Sequence, residues 1–377
     1  MVKKYVFIIL ILLIATGLVY AQSNNAAVNQ TGDENDATVD QAGATNIATV
    51  DQFGKNLADV DQTGTSNTAD VDQGTAVNPV TNVPSTYHNK GAWINQVGSN
   101  NEASIASQND GSMYNSGSGN AGNIDQAGDA NIAEQVLSSH TSQRAKTSAR
   151  MAVEIDQIGD GNEAYQRTRG NFGSYGIQQM WVDQTGSDNY VNQYSNGGMQ
   201  SVMTVDQAGD NNETAISSDV SATGMVSPLD LPWGTKMHPA NAGGINAAAI
   251  SSGTYTQYQN GRYSTAIINI AGTSNLTTQA QEFTVWSASG QNSATINIAG
   301  DANALIQGQM GEYNDSDMEI VGDGNVATSS QEGDSNVADI DLIGDSNIGA
   351  VMQTGDSHNG VINQIGNNNV AKVTQSE

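Results

Sequence analysis

The chain has 377 residues, of which only 37% are hydrophobic and 5% aromatic, so it lacks the large side chains that fill a wide globular core. Asn and Gln together supply 72 residues (42 and 30), and cysteine is absent, which excludes disulfides, thiolate metal ligands and a cysteine nucleophile. The formal net charge of −27 disfavours nucleic acid as a partner, because phosphate groups would be repelled.

Residues 1–21 have the organisation of a secretory signal peptide. Lys3 lies in a basic start, an apolar segment runs from Tyr5 to Ile14, and small residues lead to a cleavage site after Ala21. The apolar segment is shorter than the roughly 20 residues that span a bilayer. We therefore expect the mature chain, residues 22–377, to be secreted and extracellular at the cell surface, with no membrane span.

An 11-residue repeat begins at position 24 and has the consensus N-x-A-x-V/I-x-Q-x-G-x-x. Asn35, Ala37, Val39 and Gln41 alternate with Asp and Thr, which is typical of a strand with one buried and one exposed face. The G-x-x segment predicts a tight turn, because glycine adopts backbone angles closed to other residues. Two units would form one strand–turn–strand rung. The sequence therefore predicts an all-β protein, a β-solenoid of stacked strand–turn–strand β-arches with two parallel sheets.

The repeat is regular at 24–75 and 318–377, whereas residues 76–317 carry loop insertions that we expect on one edge of a single repeat domain. The five prolines lie in two stretches between repeats, so none would interrupt a strand. One of these stretches, 226–244, is alternatively a domain linker. Turn glycines followed along one edge, Gly243 among them, predict about fourteen rungs and a rod of roughly 65–70 Å. The predicted turn glycines are Gly32, Gly43, Gly54, Gly64, Gly98, Gly128, Gly159, Gly186, Gly209, Gly272, Gly300, Gly322, Gly333, Gly344, Gly355 and Gly366.

Stacked rungs would place each inward Gln or Asn on its own copy. Side-chain amides both donate and accept, so such a column satisfies its own hydrogen bonds, whereas a buried amide without a partner costs about 1–3 kcal/mol. A disordered Asn/Gln-rich tract is the alternative, although disorder needs neither the alternation nor the phase. We expect an inward amide ladder for self-assembly at Gln30, Asn35, Gln41, Asn46, Gln52, Asn56, Gln62, Asn67, Gln73, Gln96, Asn101, Gln126, Asn131, Gln157, Asn162, Gln184, Asn189, Gln207, Asn212, Gln353, Gln364, Asn369 and Gln375.

Acidic residues occupy many outward positions. Asp40 and Asp61, like Asp51 and Asp72, are two units apart and would stack in one sheet about 5 Å apart. Their repulsion would oppose assembly, and low pH or divalent cations would relieve it. A merely solvated acidic face is the alternative interpretation.

The repeat shows no amphipathic cap at either end. Repeat sequence extends from Asn24 to Gln375, and an uncapped solenoid exposes unpaired backbone groups at both ends. This pattern predicts end-to-end self-assembly into a fibre.

Half of the ten basic residues expected in the mature chain lie between positions 144 and 169. We expect this group to contact the acidic face of a neighbouring rod. Alternatively, the insertions simply pack on their own edge. The candidate lateral-contact residues are Arg144, Lys146, Arg150, Arg167 and Arg169.

The repeat unit resembles the curlin repeat, found in the subunits of curli, the extracellular amyloid fibres of Gram-negative biofilms. The resemblance rests on stretches such as 41–48, 126–133 and 157–164, each of the form Q-x-G-x-x-N-x-A, and it covers nearly all of the mature chain. It implies a homopolymer that forms with a nucleator or second curlin subunit, export through an outer-membrane secretion pore, and roles in adhesion and biofilm matrix. The departures from the family pattern are the larger number of repeats, the enlarged loops, and the substitutions Ile270, Ile298, Ile320, Leu342 and His358 at amide positions.

Catalytic constellations are not expected. The four histidines are scattered without metal-ligand spacing, and the Asp-rich turn at 322–325 lacks the bidentate Glu of a calcium loop. We therefore expect a structural protein, not an enzyme, with no cofactor and no metal site. The alternatives are a monomeric β-solenoid adhesin or ligand-binding surface protein, an ice-binding protein, which would need ranks of outward Thr, and a polysaccharide-degrading β-helix, which would need an acid–base pair.

Overall fold

The computed structural model describes residues 23–31, 35–53, 56–74, 90–110, 120–140, 150–170, 177–196, 201–214, 257–260, 264–282 and 291–376. The predicted signal peptide, Gly32, Gly54 and Gly243 lie outside these residues. Within the described ranges, no helix is long and apolar enough to cross a membrane. The strands are β1 Asn25–Thr31, β2 Asp36–Ala44, β3 Ile47–Phe53, β4 Asn56–Thr65, β5 Thr68–Gln73, β6 Lys90–Ser99, β7 Glu102–Asp110, β8 Asn120–Ala127, β9 Ile132–His140, β10 Arg150–Ile158, β11 Glu163–Gly170, β12 Ile177–Thr185, β13 Tyr190–Asn196, β14 Ser201–Ala208, β15 Glu213–Thr214, β16 Gln257–Asn260, β17 Thr265–Ala271, β18 Leu276–Glu282, β19 Ser293–Ala299, β20 Ala304–Met310, β21 Asp315–Val321, β22 Val326–Glu332, β23 Val337–Ile343, β24 Ile348–Thr354, β25 Asn359–Ile365 and β26 Val370–Ser376.

The chain alternates between two parallel sheets. Sheet A has fourteen strands: the odd-numbered ones from β1 to β15, then β16 and the even-numbered ones from β18 to β26. Sheet B has twelve strands: the even-numbered ones from β2 to β14, then the odd-numbered ones from β17 to β25. Each strand pairs in parallel with the next strand of its own sheet, so the chain winds as stacked arches. The predicted all-β β-solenoid with two parallel sheets is confirmed.

Strand register follows the repeat. In sheet B, Asp40 is paired with Asp61 and Gln41 with Gln62. In sheet A, Asp51 is paired with Asp72. The expected stacking of like residues is therefore correct for both pairs of aspartates, and the alternation of the repeat places one set of side chains between the sheets and the other set outside.

One level of sheet A is built from two short strands. β15 and β16 each pair with β13 on one side and with β18 on the other, so they share a level. Sheet A consequently has thirteen levels and sheet B twelve, close to the expected fourteen rungs. At about 4.8 Å per level the stack is about 60 Å long, slightly shorter than predicted.

The predicted phase of the central turns needs a correction at Gly243. β14 pairs directly with β17, and the N–H of Gly272 donates to the carbonyl of Ala208 at 2.8 Å. Gly209 and Gly272 therefore occupy successive levels, and Gly243 does not supply a level between them. Spacing alone could not show this, because 63 residues separate two adjacent levels at this point whereas 22 suffice elsewhere.

The core is a thin layer of small and β-branched side chains with amides between the two sheets. Val60, Ile94, Ile124 and Ile155 lie on successive levels of sheet B and are at most 2% exposed. Two closely packed flat sheets need only such side chains to exclude water, which explains the low aromatic content.

Connections differ between the two edges of the stack. Strands of sheet B lead into sheet A through short turns of two to four residues throughout. The longer connections, such as 111–119 and 141–149, lead from sheet A into sheet B. From β19 onward the connections are short on both edges, so the expected enlarged loops on one edge are confirmed for the central levels.

Candidate functional site

Seven glutamines form a continuous hydrogen-bonded column along sheet B. The Nε2 of each of the first six donates to the Oε1 of the glutamine one level further along, at 2.7–3.1 Å. All except the first, Gln41, are at most 2% exposed. The column consists of Gln41, Gln62, Gln96, Gln126, Gln157, Gln184 and Gln207.

The second N–H of each amide in this column crosses the core to the facing sheet. Gln62 donates to the carbonyl of Ile47 at 3.1 Å, and Gln157 donates to the carbonyl of Ile132 at 3.0 Å. Each amide therefore bonds along the stack through one N–H and between the sheets through the other. Because both donors are satisfied away from water, the column contributes to stability only while successive levels remain in register.

Sheet A carries its glutamines in two separate inward positions. The position next to the turn holds Gln30, Gln52 and Gln73 at one end of the stack and a longer series at the other end, with Nε2 to Oε1 distances of 2.9–3.0 Å. The position two residues earlier on the strand is occupied by glutamines in the central levels. Most of these glutamines are not among the predicted ladder residues, namely Gln135, Gln166, Gln193, Gln279, Gln281, Gln307, Gln309 and Gln331.

The column of sheet B ends where apolar residues replace glutamine. Gln207 donates to the hydroxyl of Thr214, and Ile270, Ile298, Ile320 and Leu342 continue its position as buried side chains. Amide pairing is not lost in these levels, because the series from Gln281 to Gln375 accompanies them in sheet A. The expected interruption of the amide ladder is therefore confined to sheet B.

Asparagines form a second kind of column, at the turns from sheet B to sheet A. The Oδ1 of Asn131 accepts the backbone N–H of Asn162 at 3.0 Å, and its Nδ2 donates to the carbonyl of Gly159 at 2.7 Å. Each asparagine thus holds the turn of the next level. The column consists of Asn24, Asn46, Asn67, Asn101, Asn131, Asn162, Asn189, Asn212, Asn275, Asn303, Asn325, Asn347 and Asn369.

A corresponding asparagine column lies on the opposite edge. The backbone N–H of Asn56 donates to the Oδ1 of Asn35 at 3.2 Å, so these two predicted ladder residues belong to this edge. At the other end of the stack, Asn292, Asn314 and Asn336 repeat the pattern. His358 terminates it, because its backbone N–H donates to the Oδ1 of Asn336 while its ring Nε2 lies 3.1 Å from the carbonyl of Thr354.

The first glycine of each turn allows successive turns to stack closely enough for these asparagine columns to form. Gly128 has φ of 131°, and a Cβ at this position would overlap the carbonyl oxygen of Gly159 on the next level. The glycine is therefore required both by its backbone angle and by the close approach of successive turns. Predicted turn glycines that show the same contact with the next level are Gly43, Gly64, Gly98, Gly128, Gly159, Gly186, Gly209, Gly272, Gly300, Gly322, Gly333 and Gly344.

A column of carboxylates runs along the outer face of sheet B. Asp125, Asp156, Asp183 and Asp206 lie on successive levels. Burial raises the pKa of Asp156 to about 6, helped by the charges of Asp125, Glu154 and Asp183. Burial also raises the pKa of Asp183, helped by the charges of Asp206 and Glu154. The stack therefore holds like-charged carboxylates next to one another, and their repulsion and partial burial favour the protonated form.

The predicted basic group is described only in part. Arg144 and Lys146 lie outside the described residues, and Arg150 and Arg169 are placed by their backbone in β10 and β11. Arg167 is exposed on the outer face of sheet A, beside a depression of about 230 Å³ that Tyr165 and Tyr190 also line. The structure therefore does not bring the five basic residues together as one described surface.

Both ends of the described stack are open. All seven residues of β1 are exposed, and β26 alternates between exposed and half-buried residues. The buried Oε1 of Gln364 has no hydrogen-bond partner, because the preceding level offers it Leu342, which has no donor. That oxygen faces into the stack, so what the ends offer to a further level is the open strand edges of β1 and of β25 and β26.

Comparison with known families identifies the repeat. The family model of the curlin associated repeat matches residues 21–54 and 344–376. No curated protein is significantly similar to the chain in sequence. The first matched region contains β1, β2 and β3, and the second contains β24, β25 and β26, so the match falls on both ends of the described stack. The chain therefore carries the curlin associated repeat at both ends of a parallel two-sheet solenoid.

Proposed function

We propose that the chain is a secreted structural subunit that self-assembles into extracellular curli-like amyloid fibres for adhesion and biofilm matrix. The observation that carries this proposal is the pair of open ends. The asparagine column of the turns from sheet B to sheet A and the two sheets run the length of the stack, and no element among the described residues covers the sheet edges at β1 or at β25 and β26. An open parallel edge pairs with another chain unless it is blocked.

The curlin associated repeat supports the same function, because curli subunits carry it. In this proposal residues 1–21 direct export and are removed after Ala21, and residues 22–377 form one repeat domain. The glutamine and asparagine columns supply the register, since a molecule that docks out of register would bury unpaired amides at about 1–3 kcal/mol each.

The experiment is to dilute denatured residues 22–377 into buffer and follow thioflavin fluorescence, electron microscopy and fibre diffraction. We expect fibres with a meridional reflection near 4.8 Å, and sonicated fibres that shorten the lag when added as seeds. The same protein kept in denaturant is the control. Monomers that persist for days under assembly conditions would overturn the proposal and favour a monomeric surface protein.

We also propose that the basic group makes lateral contacts between rods. Support comes from the exposed guanidinium group of Arg167 on sheet A and from the carboxylate columns on the outer face of sheet B. Replacing the five predicted basic residues with Gln should separate bundles into single fibres without changing the rate of elongation. Unaltered bundling in electron micrographs would show instead that the insertions pack on their own edge and do not join rods.

A further inference from the structure

The two half-turns of this solenoid are structurally equivalent. In sheet A the Nε2 of Gln353 donates to the carbonyl of Val337, sixteen residues earlier on the preceding strand. In sheet B the Nε2 of Gln364 makes the same bond to Ile348, also sixteen residues earlier. If the chain rose to the next level at one edge only, a strand would lie at the height of its neighbour across the core on one side and a full level away on the other. The two bonds would then not join residues with the same separation in sequence. The rise is therefore shared equally between the two edges.

The turn columns show the same equivalence. The N–H of Asn347 donates to the Oδ1 of Asn325 on one edge, and the N–H of Asn336 donates to the Oδ1 of Asn314 on the other, each 22 residues apart. Each half-turn of the regular levels is thus related to the next by a half rotation about the stack and a rise of about 2.4 Å, half of a strand spacing.

The described stack contains an odd number of half-turns. Sheet A has thirteen levels and sheet B twelve, so β1 and β26 both belong to sheet A. After β26, the next free position in the winding lies on β25 in sheet B. A second molecule that continues the winding without a gap must therefore begin with its β1 on β25 and place its β2 on β26.

We propose that successive molecules in the fibre are rotated by a half turn, so that sheet A of one molecule continues as sheet B of the next. This inference rests on the proposed self-assembly and specifies its geometry. The second copy supplies β1 to extend β25 and β2 to extend β26. The acidic outer face and the enlarged edge consequently alternate sides along the fibre, with one molecule for every 60 Å or so.

The side chains of the two ends match in this arrangement. On the inward face, every apolar residue meets an apolar residue or glycine and every glutamine meets a glutamine. On the outward face of β25, two asparagines meet two asparagines. The inward pairs, β25 or β26 first, are Gly360 with Ala26, Ile362 with Val28, Gln364 with Gln30, Ala371 with Ala37, Val373 with Val39 and Gln375 with Gln41, and the outward pairs on β25 are Asn359 with Asn25, Val361 with Ala27 and Asn363 with Asn29.

Charge favours the same arrangement. Lys372 is exposed on β26 and would lie beside Thr38 of the second molecule, with Asp36 and Asp40 two residues to either side on that strand. Diagonal neighbours at this separation are within reach of a lysine side chain. Without the rotation, Lys372 would meet Ala27 between two asparagines of β1 and would gain no opposite charge.

The unrotated arrangement also leaves a gap. It would pair β26 with β1 and β25 with β2, and the sequence offsets of these two pairings differ by 22 residues, which is one full level of the stack. One sheet would then lack a strand at every junction, and the unpaired backbone groups beside the gap would lose their hydrogen bonds. In the rotated arrangement both pairings have the same offset.

Pairs of cysteines distinguish the two arrangements, since the chain has no natural cysteine. Asp40, Asn29 and Thr374 are exposed on the outward faces of β2, β1 and β26. Facing outward residues on adjacent strands have Cα atoms about 4.8 Å apart, within reach of a disulfide-length cross-linker. Positions 40 and 374 lie at opposite ends of one molecule, so a bond between them is intermolecular.

We expect fibres of the T374C and D40C double variant to cross-link into ladders of covalent oligomers, at a yield at least tenfold above that of the T374C and N29C double variant. Single-cysteine variants and protein in denaturant are the controls. The reverse order of yields would establish the unrotated arrangement, and low yields in both fibres would also overturn the proposal. Absence of fibres from the wild-type chain would instead refute the proposed function.

If the cysteine variants do not assemble, cryo-electron microscopy of wild-type fibres gives the second measurement. The rotated arrangement predicts that the enlarged edges of successive molecules project on opposite sides, once the gradual twist of the stack is subtracted. Projection on the same side in every molecule would overturn it.

Discussion

Each turn from sheet B to sheet A contains two residues with positive φ, and they tolerate a side chain differently. In the turn after β10, Gly159 has φ of 117° and Gly161 has φ of 69°. Other turns place Ala130 and Ala302 at the second position with φ of 58° and 55°, whereas every described turn keeps glycine at the first. At the first position a Cβ would meet the backbone of the next level, whereas at the second it would meet only a side-chain atom, the Oδ1 of Asp188 in the case of Gly161.

This difference predicts the outcome of a matched pair of substitutions. Gly159→Ala should destabilise the monomer by more than about 3 kcal/mol, because a Cβ would overlap the carbonyl of Gly186 and the backbone angle would be strained. Gly161→Ala should cost only about 1–2 kcal/mol, the left-handed penalty, because the atom that its Cβ would crowd, the Oδ1 of Asp188, ends an exposed side chain that can move aside. Guanidinium unfolding of freshly dissolved monomer measures both. Equal effects would show that stacking of the turns is not the determinant.

Asp156 predicts a dependence of stability on pH. Its folded pKa is about 6 compared with an ordinary value of 3.8, so the folded protein binds the proton more tightly than the unfolded chain. The group therefore destabilises the fold above about pH 6, and this penalty disappears as the pH falls towards 4. Stability and assembly should increase across this range as the pH is lowered.

Asp156→Asn should remove part of that dependence. Because the side chain is only partly buried and solvent screens its charge, we expect a gain on the order of 1 kcal/mol at pH 7 and little change at pH 4. Asn95 and Asn269 occupy the same column on other levels, so the substitution suits the site. Asp188→Asn, which removes an exposed charge from a turn, is the control. A slope between pH 4 and 7 that is the same in wild type and D156N would contradict this assignment.

At the scale of elements, the level shared by β15 and β16 shows how an insertion can interrupt a strand without interrupting the sheet. Thr214 pairs with Val191 and Gln257 pairs with Gln193, so one position, opposite Asn192, separates the two short strands in register. Residues 215–256 are inserted at that position. The neighbouring strands β13 and β18 still run the full length of the level.

A replacement of residues 215–256 by a single Asn should therefore give one continuous strand. We expect the shortened chain to assemble at a rate within about twofold of wild type, since the register of both halves is preserved. A replacement by two residues is the matched control and should fail, because a slip of one residue turns every following side chain to the opposite face. Thioflavin kinetics and seeding by wild-type fibres measure both variants. Assembly of the two-residue variant, or failure of the one-residue variant, would contradict the register.

At the scale of the whole molecule, the open end of β26 controls whether a second molecule can bind. The N–H of Ile348 in β24 donates towards β26, to the carbonyl of Asn369. By the alternation of a parallel strand, the N–H groups of Val370, Lys372 and Thr374 point away from β24 to the open side. The N–H of Thr374 therefore lies on the side of β26 that a further strand would extend.

Thr374→Pro should consequently block growth at this end and leave the monomer folded. Proline removes an N–H that faces the open edge, which edge strands tolerate. We expect the elongation rate to fall at least tenfold, with circular dichroism of the monomer unchanged. Thr374→Ala, which keeps the N–H, is the control and should elongate normally. Normal elongation of T374P in both directions would show that β26 does not receive the next molecule.

Much of the fold could be predicted from the sequence, because the relevant signal is local. The alternation from Asn35 to Gln41 follows from the two-residue period of a strand, and the glycine of each turn follows from its backbone angle. These properties depend on neighbours in sequence, so the parallel solenoid, the stacked Asp40 and Asp61 and the turn asparagines were all predictable.

Only the tertiary structure decided which residues meet across the long connections. Gln135, Gln166 and Gln193 take over the column of sheet A two positions earlier on their strands, and Gly272 rather than Gly243 follows Gly209. The odd number of half-turns between the two open ends was decided in the same way. The physical reason is that pairing between levels depends on hydrogen bonds between residues 21 to 63 positions apart. Insertions of different lengths make that separation irregular in the sequence without disturbing the stack.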